Sequence, residues 1–130
     1  MAKRYFVMIS TDPELDPRKC VVGIACAAQA AKEGHEVHTF FASHAVRLLQ
    51  TEYINQIDGR AGEALGNSRA YLDTLIEHAA SMHCSGGSQA VVGVTKANAD
   101  AILIGGYELN WGGPPKVVEL SSTAEVVLTY

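Results

Sequence analysis

The stretch KRYFVMISTDPELDPRKCVVGIACAAQAAKEGHEVHTFFA, residues 3–42, decides the fold. Lys3 to Ser10 is rich in β-branched and aromatic residues and ends in the turn-forming Thr11-Asp12-Pro13, so it reads as a strand. Phe6 to Ile9 is continuously apolar, as expected of a strand buried on both faces. Asp16 and Pro17 suit a helix cap and first helical position, and Cys20 to Ala31 then runs without a breaker to Gly34. This helix is made of small and apolar residues on most sides, which predicts close packing on the sheet or on a second subunit. Glu36 to Ala42, with Val37, Phe40 and Phe41, is a second strand. Strand, helix and strand in that order imply a right-handed parallel crossover.

Working outward, Ser43 caps a short helix through Gln50. Asn55 to Asn67 is polar, carries Gly59, Gly62 and Gly66, and is expected to be a mobile loop. From Ser68 the helical period returns, with Tyr71, Leu72, Leu75, Ile76 and Ala79 on one face. A third strand is expected over Ala80 to Cys84, ended by Ser85-Gly86-Gly87-Ser88. Thr95 to Ile104 reads as a helix stopped by Gly105-Gly106, and Tyr107 to Trp111 as a fourth strand. Gly112-Gly113-Pro114 opens a helix to about Ser122, and Glu125 to Tyr130 is the last strand. The alternation predicts a three-layer α/β fold, an open and mainly parallel sheet of about five strands flanked by helices.

At 130 residues the chain has the usual size of one domain, residues 1–130. The formal net charge of -4 and a pI near 5.7 argue against a broad basic surface, so direct nucleic-acid binding is not expected. The apolar run Tyr5 to Ile9 is too short for a signal-peptide core or a membrane span. Three cysteines, an odd number, point to reduced thiols and a cytoplasmic setting rather than a disulfide framework.

In an open parallel sheet, ligands bind beyond the carboxyl ends of the strands. That rule gathers Thr11, Asp12, His44, Cys84, Gly86, Gly87 and Trp111 on one edge, with His83 beside them. Cys84 is the one cysteine there. If Gly86 and Gly87 open a helix, their N–H groups would stabilise a thiolate, a persulfide or a small anion. The other reading of Cys84 is a small apolar side chain packed at a strand end. Cys20 and Cys26 lie inside an apolar helix, where a thiol is inert. His83 and Cys84 are adjacent on a strand and point to opposite faces, and no spacing matches a zinc signature, so no metal is expected. No Gly-x-Gly-x-x-Gly follows the first strand, so dinucleotide binding of that type is unsupported. Trp111 suits a core or interface anchor.

Cys84, then Gly93-Val94-Thr95, Gly105-Gly106-Tyr107-Glu108-Leu109, Pro115-Lys116-Val117-Val118-Glu119-Leu120 and Val126-Val127-Leu128-Thr129-Tyr130, resemble the DsrE/DsrF-like family of small sulfur-relay proteins, of TusD and YchN type. The resemblance implies an open parallel α/β fold and a homo-oligomer, trimer or hexamer. It also implies a cysteine that carries sulfur as a persulfide between donor and acceptor proteins. That role falls on Cys84, with no cofactor required. The alternatives are a non-catalytic oligomeric protein holding a small anion or nucleotide at the same edge, and a structural subunit of a sulfur-relay complex.

Overall fold

The apolar run after Lys3 becomes β1 (Arg4–Ile9), in which Val7 and Ile9 join the main core while Phe6 is buried on the opposite face. The computed structural model describes all 130 residues. Next comes α1 (Pro17–Lys32), whose first turn is set by Pro17 and by the Asp16 carboxylate, which accepts a hydrogen bond from Lys19 N–H at 3.0 Å. Beyond Lys32 the chain turns at Gly34, with φ 93°, into β2 (Glu36–Phe41). A 3-10 helix (Ser43–Leu49), α2 (Thr51–Ala61) and α3 (Asn67–His78) lead to β3 (Ser81–Ser85). The remaining elements are α4 (Gly86–Val91), α5 (Ala99–Ile102), β4 (Leu109–Gly112), α6 (Pro114–Thr123) and β5 (Val126–Thr129).

All pairings are parallel and the strand order is β4-β3-β2-β1-β5. From β1 to β4 the chain steps outward in one direction, and α6 then carries it back to the far side of β1. One face of the sheet packs Val7, Ile9, Val37, Phe41 and Cys84 into a core with the apolar side of α1 and with Leu72 and Leu75 of α3. The other face, with Met8 and Phe40, carries Val117 and Val118 of α6. These are the three layers expected. Small residues on α1 allow close approach: a Cβ on buried Gly23 would lie 2.9 Å from Tyr130 Cγ. Tyr130 is held in place by backbone bonds from its own N–H to Met8 O and from Ser10 N–H to its carbonyl.

Four local expectations are corrected. Asn55 to Asn67 is not a mobile loop: it is helical to Ala61, and only residues 62–66 turn before α3 begins. Its polar residues Asn55, Gln56, Gly59 and Arg60 face solvent, while Ile54, Ile57, Asp58 and Ala61 face inward. Buried Asp58 accepts from Gly66 N–H at 2.8 Å, Ser68 N–H at 3.1 Å and Ser68 Oγ–H, which ties the turn down. Ser43 caps nothing; it has φ 53°, and its N–H donates to Ser88 Oγ at 2.9 Å. Thr95 to Ile104 is helical only over α5, because Leu103 bridges to Gln50 and Ile104 N–H donates to Leu49 O, drawing both apolar residues inward. The fourth strand starts at Leu109 rather than Tyr107.

Candidate functional site

Parallel pairing places Cys84 between Phe41 of β2 and Trp111 of β4, on the face covered by the main core. Its side chain has no solvent exposure, and burial pushes the thiol pKa up. Two groups pull the other way, the Gln89 side-chain amide first and the Lys96 ammonium second. Lys96 Nζ sits 4.4 Å from the centroid of the Trp111 ring, a cation–π arrangement at the exposed edge of the sheet. Gln89 is fully buried, and neither its Nε2 nor its Oε1 has a hydrogen-bond partner. The Tyr107 hydroxyl is likewise buried and unpartnered, and its pKa is raised by burial and then by the Cys84 charge. Nothing in the sequence pattern singled out Gln89, Lys96 or Tyr107; a lone Gln in a six-residue helix carries no signal until its burial is known.

Gly86 and Gly87 begin α4, whose cap is Ser85, its Oγ accepting from Ser88 N–H at 3.1 Å. A Cβ on Gly86 would come 3.8 Å from Trp111 Cε3, an ordinary contact, so packing against the indole does not itself require a glycine here. Gly87 is exposed at the rim, whereas the Cys84 side chain is sunk in the core.

Thr11, Asp12 and His44 do come together beyond β1 and β2. Asp12 Oδ2 lies 3.9 Å from His44 Nδ1, and Asp12 Oδ1 lies 4.0 Å from Arg47 Nη1, a cation the pattern did not identify. Thr11 takes part through its carbonyl, which accepts from Cys20 Sγ–H at 3.2 Å. Burial, with Asp16 and Asp12 nearby, pushes the Cys20 thiol up to about 12, so it stays protonated. Cys26 is half-buried on the same helix.

His83 faces away from Cys84. It stacks on Phe40, with ring centroids 6.3 Å apart, and ends a chain of hydrogen bonds running in from the surface. His38 Nε2 is 2.8 Å from Glu36 Oε2, His38 Nδ1 is 2.5 Å from Ser81 Oγ, and Ser81 Oγ is 2.7 Å from His83 Nε2. With both imidazoles neutral and His38 Nε2–H donating to the carboxylate, Ser81 must donate to His38 Nδ1 and His83 Nε2–H to Ser81. Arg4 Nε–H also donates to Glu36 at 2.7 Å, and His38 and Arg4 together hold the Glu36 carboxyl below its usual pKa.

No group of three or more His, Cys, Asp or Glu side chains is arranged to hold a metal ion. No helix is long and apolar enough to cross a membrane.

No family model matches the sequence, and no curated protein matches it. Among solved structures, the crystal structure of the ychN protein from E. coli superposes over 100% of both chains with a TM-score of 0.61 at 17% sequence identity. A likeness of that kind over two whole chains is a likeness of fold, and the five-stranded parallel α/β architecture expected of a YchN-type protein is the architecture of this chain.

Proposed function

We propose that the protein is a sulfur carrier in which Cys84 holds sulfane sulfur as a persulfide and passes it to a partner thiol. One observation carries this reading: Cys84, the one cysteine carried by a strand, stands at its carboxyl end, and the fully buried amide of Gln89, which has no hydrogen-bond partner, pulls its thiol pKa down. Buried polar groups are almost always hydrogen-bonded, and an exception beside a thiol suits a group that gains its partner when the thiol is charged or loaded. The likeness to YchN supports the same reading through the fold alone. No cofactor is needed, since the thiol itself carries the group. A homo-oligomer of three or six copies belongs to this proposal.

Incubation with a low-molecular-weight persulfide, followed by mass spectrometry of the intact chain, tests it. The wild type is expected to gain one sulfur and Cys84→Ala none; equal gain by both would remove Cys84 from the function.

A second reading is favoured by the complete burial of Cys84. Here the protein is an oligomer that binds a small anion at the same edge, and Cys84 is only packed. A native thiol titration in which Cys84 stays unreactive, together with anion binding that depends on Lys96 or Arg47, would select it.

A further inference from the structure

Two pairs of side chains meet on the sheet face opposite the main core. Glu36 and His38 stand two residues apart on β2, and Ser81 and His83 two residues apart on β3, so each pair points to one face. The parallel register then sets His38 opposite Ser81. Ser81 Oγ is 2.5 Å from His38 Nδ1, and His38 Nε2 is 2.8 Å from Glu36 Oε2. With both imidazoles neutral, the hydroxyl donates to the imidazole and the imidazole to the carboxylate, the order of nucleophile, base and orienting group. Arg4 Nε–H donates to the same carboxylate at 2.7 Å, and His38 and Arg4 together favour its ionised form. His83 Nε2 lies 2.7 Å from Ser81 Oγ, and burial lowers the His83 pKa, which favours a neutral ring donating to that oxygen. Ser81 is partly exposed and lines a cleft of about 270 Å³ with Ile76, Ala79, Ala80, Met82, Tyr107, Glu108 and Asn110. Glu108 is the one charged side chain in that lining, so the cleft disfavours anions, while its apolar residues suit a short acyl chain.

We propose that Ser81, His38, Glu36 and His83 form a hydrolytic site for a small uncharged ester, with Ser81 as nucleophile, His38 as general base, Glu36 as the residue positioning His38, and His83 as donor to the developing oxyanion. The site is separate from the thiol: Ser81 opens β3 and points away from the core that holds Cys84, so nothing here rests on the sulfur-carrier reading. In the first step Ser81 Oγ bonds to the ester carbonyl carbon, its proton passes to His38 Nδ1, and the carbonyl π pair moves onto the carbonyl oxygen. That oxygen shares its carbon with Oγ, within reach of the His83 N–H that already touches Oγ. The imidazolium is stabilised by the Glu36 carboxylate. When the intermediate collapses, the bond to the alcohol oxygen breaks, the alcohol takes the proton from His38 Nδ1, and an acyl group stays on Ser81. Water then gives a proton to His38 Nδ1 and its oxygen adds to the acyl carbon; Ser81 Oγ leaves and recovers the proton, and a carboxylic acid is released. No atom changes oxidation state.

Five chains are compared: wild type, Ser81→Ala, His38→Gln, Glu36→Gln and His83→Phe. After thermal midpoints are recorded, each is incubated with a fluorophosphonate and mapped by mass spectrometry, and each is assayed for hydrolysis of 4-nitrophenyl butyrate. The wild type is expected to gain one phosphonate, on Ser81, and Ser81→Ala none. His38→Gln and His83→Phe are each expected to lose roughly a hundredfold in kcat, the size of a lost general base and of a lost oxyanion donor. Glu36→Gln is expected to lower kcat with KM unchanged, a split that a merely structural carboxylate would not give. Its side chain is 47% exposed, so this variant carries the test if Ser81→Ala does not fold. A folded wild type that takes no phosphonate at Ser81, or that hydrolyses the ester no faster than Ser81→Ala, would overturn the site. Turnover in folded Glu36→Gln equal to that of the wild type would remove Glu36 from it.

Discussion

At the scale of single residues, burial decides the chemistry of the two adjacent side chains His83 and Cys84. Both sit on β3, on opposite faces, and burial disfavours the charged form of each: the thiol pKa rises and the imidazole pKa falls. For His83 the consequence reaches stability. Burial is the first cause of its lowered pKa, with the Lys116 and His38 charges next and the Glu119 and Glu108 carboxylates opposing. The unfolded chain therefore binds a proton near 6.5 that the folded chain refuses until lower pH. Stability is complete above 6.5, declines as pH falls below it, and levels off beneath the folded value. Glu14, Glu36 and Glu119 have pKa values lowered from 4.5, so their losses begin only in more acid solution. Urea midpoints measured from neutral pH to about pH 5 should fall for the wild type and stay flatter for His83→Phe, which keeps a ring against Phe40. Parallel slopes would assign the decline to other groups.

At the scale of elements, the joint between α2 and α3 is held by Asp58. A carboxylate with no exposure receives two backbone N–H groups and one hydroxyl from the following turn, so one side chain organises both helix ends. Asp58→Ala leaves those donors buried without an acceptor, and the expected loss is about 3 kcal/mol in urea unfolding. Hydrogen exchange should at the same time quicken at Gly66 and Ser68. A loss below about 1 kcal/mol would mean that the turn is held by its backbone alone. The apolar content of α2 is only Ile54, Ile57 and Ala61 on the buried side, and the fourth inward residue is this aspartate. With so little apolar content, a segment rich in Asn, Gln and Gly reads as a loop from sequence alone.

At the scale of the molecule, two coverings of the sheet differ. The face carrying Cys84 lies under three longer helices and a continuous core, whereas α6 on the other face has no fully buried residue and leaves Val118 65% exposed. The proposed trimer or hexamer is checked by sedimentation equilibrium, with an expected mass of three or six times the 13.8 kDa chain. A monomer at micromolar concentration would remove oligomerisation from the functional reading.

The sequence by itself determined the parallel crossover of residues 3–42, the five strands, and the place of Cys84 at the end of an inner one. These follow from local quantities: apolar alternation, cap residues and breakers, each read within a few positions. Only the tertiary structure decided that Cys84 is sealed from solvent, that the Gln89 amide and the Tyr107 hydroxyl are buried without partners, and that Glu36, His38, Ser81 and His83 form one hydrogen-bonded line. Burial and pairing of that kind depend on strand register. The pairings of His38 with Ser81 and of Cys84 with Trp111 join segments whose local patterns carry no record of one another.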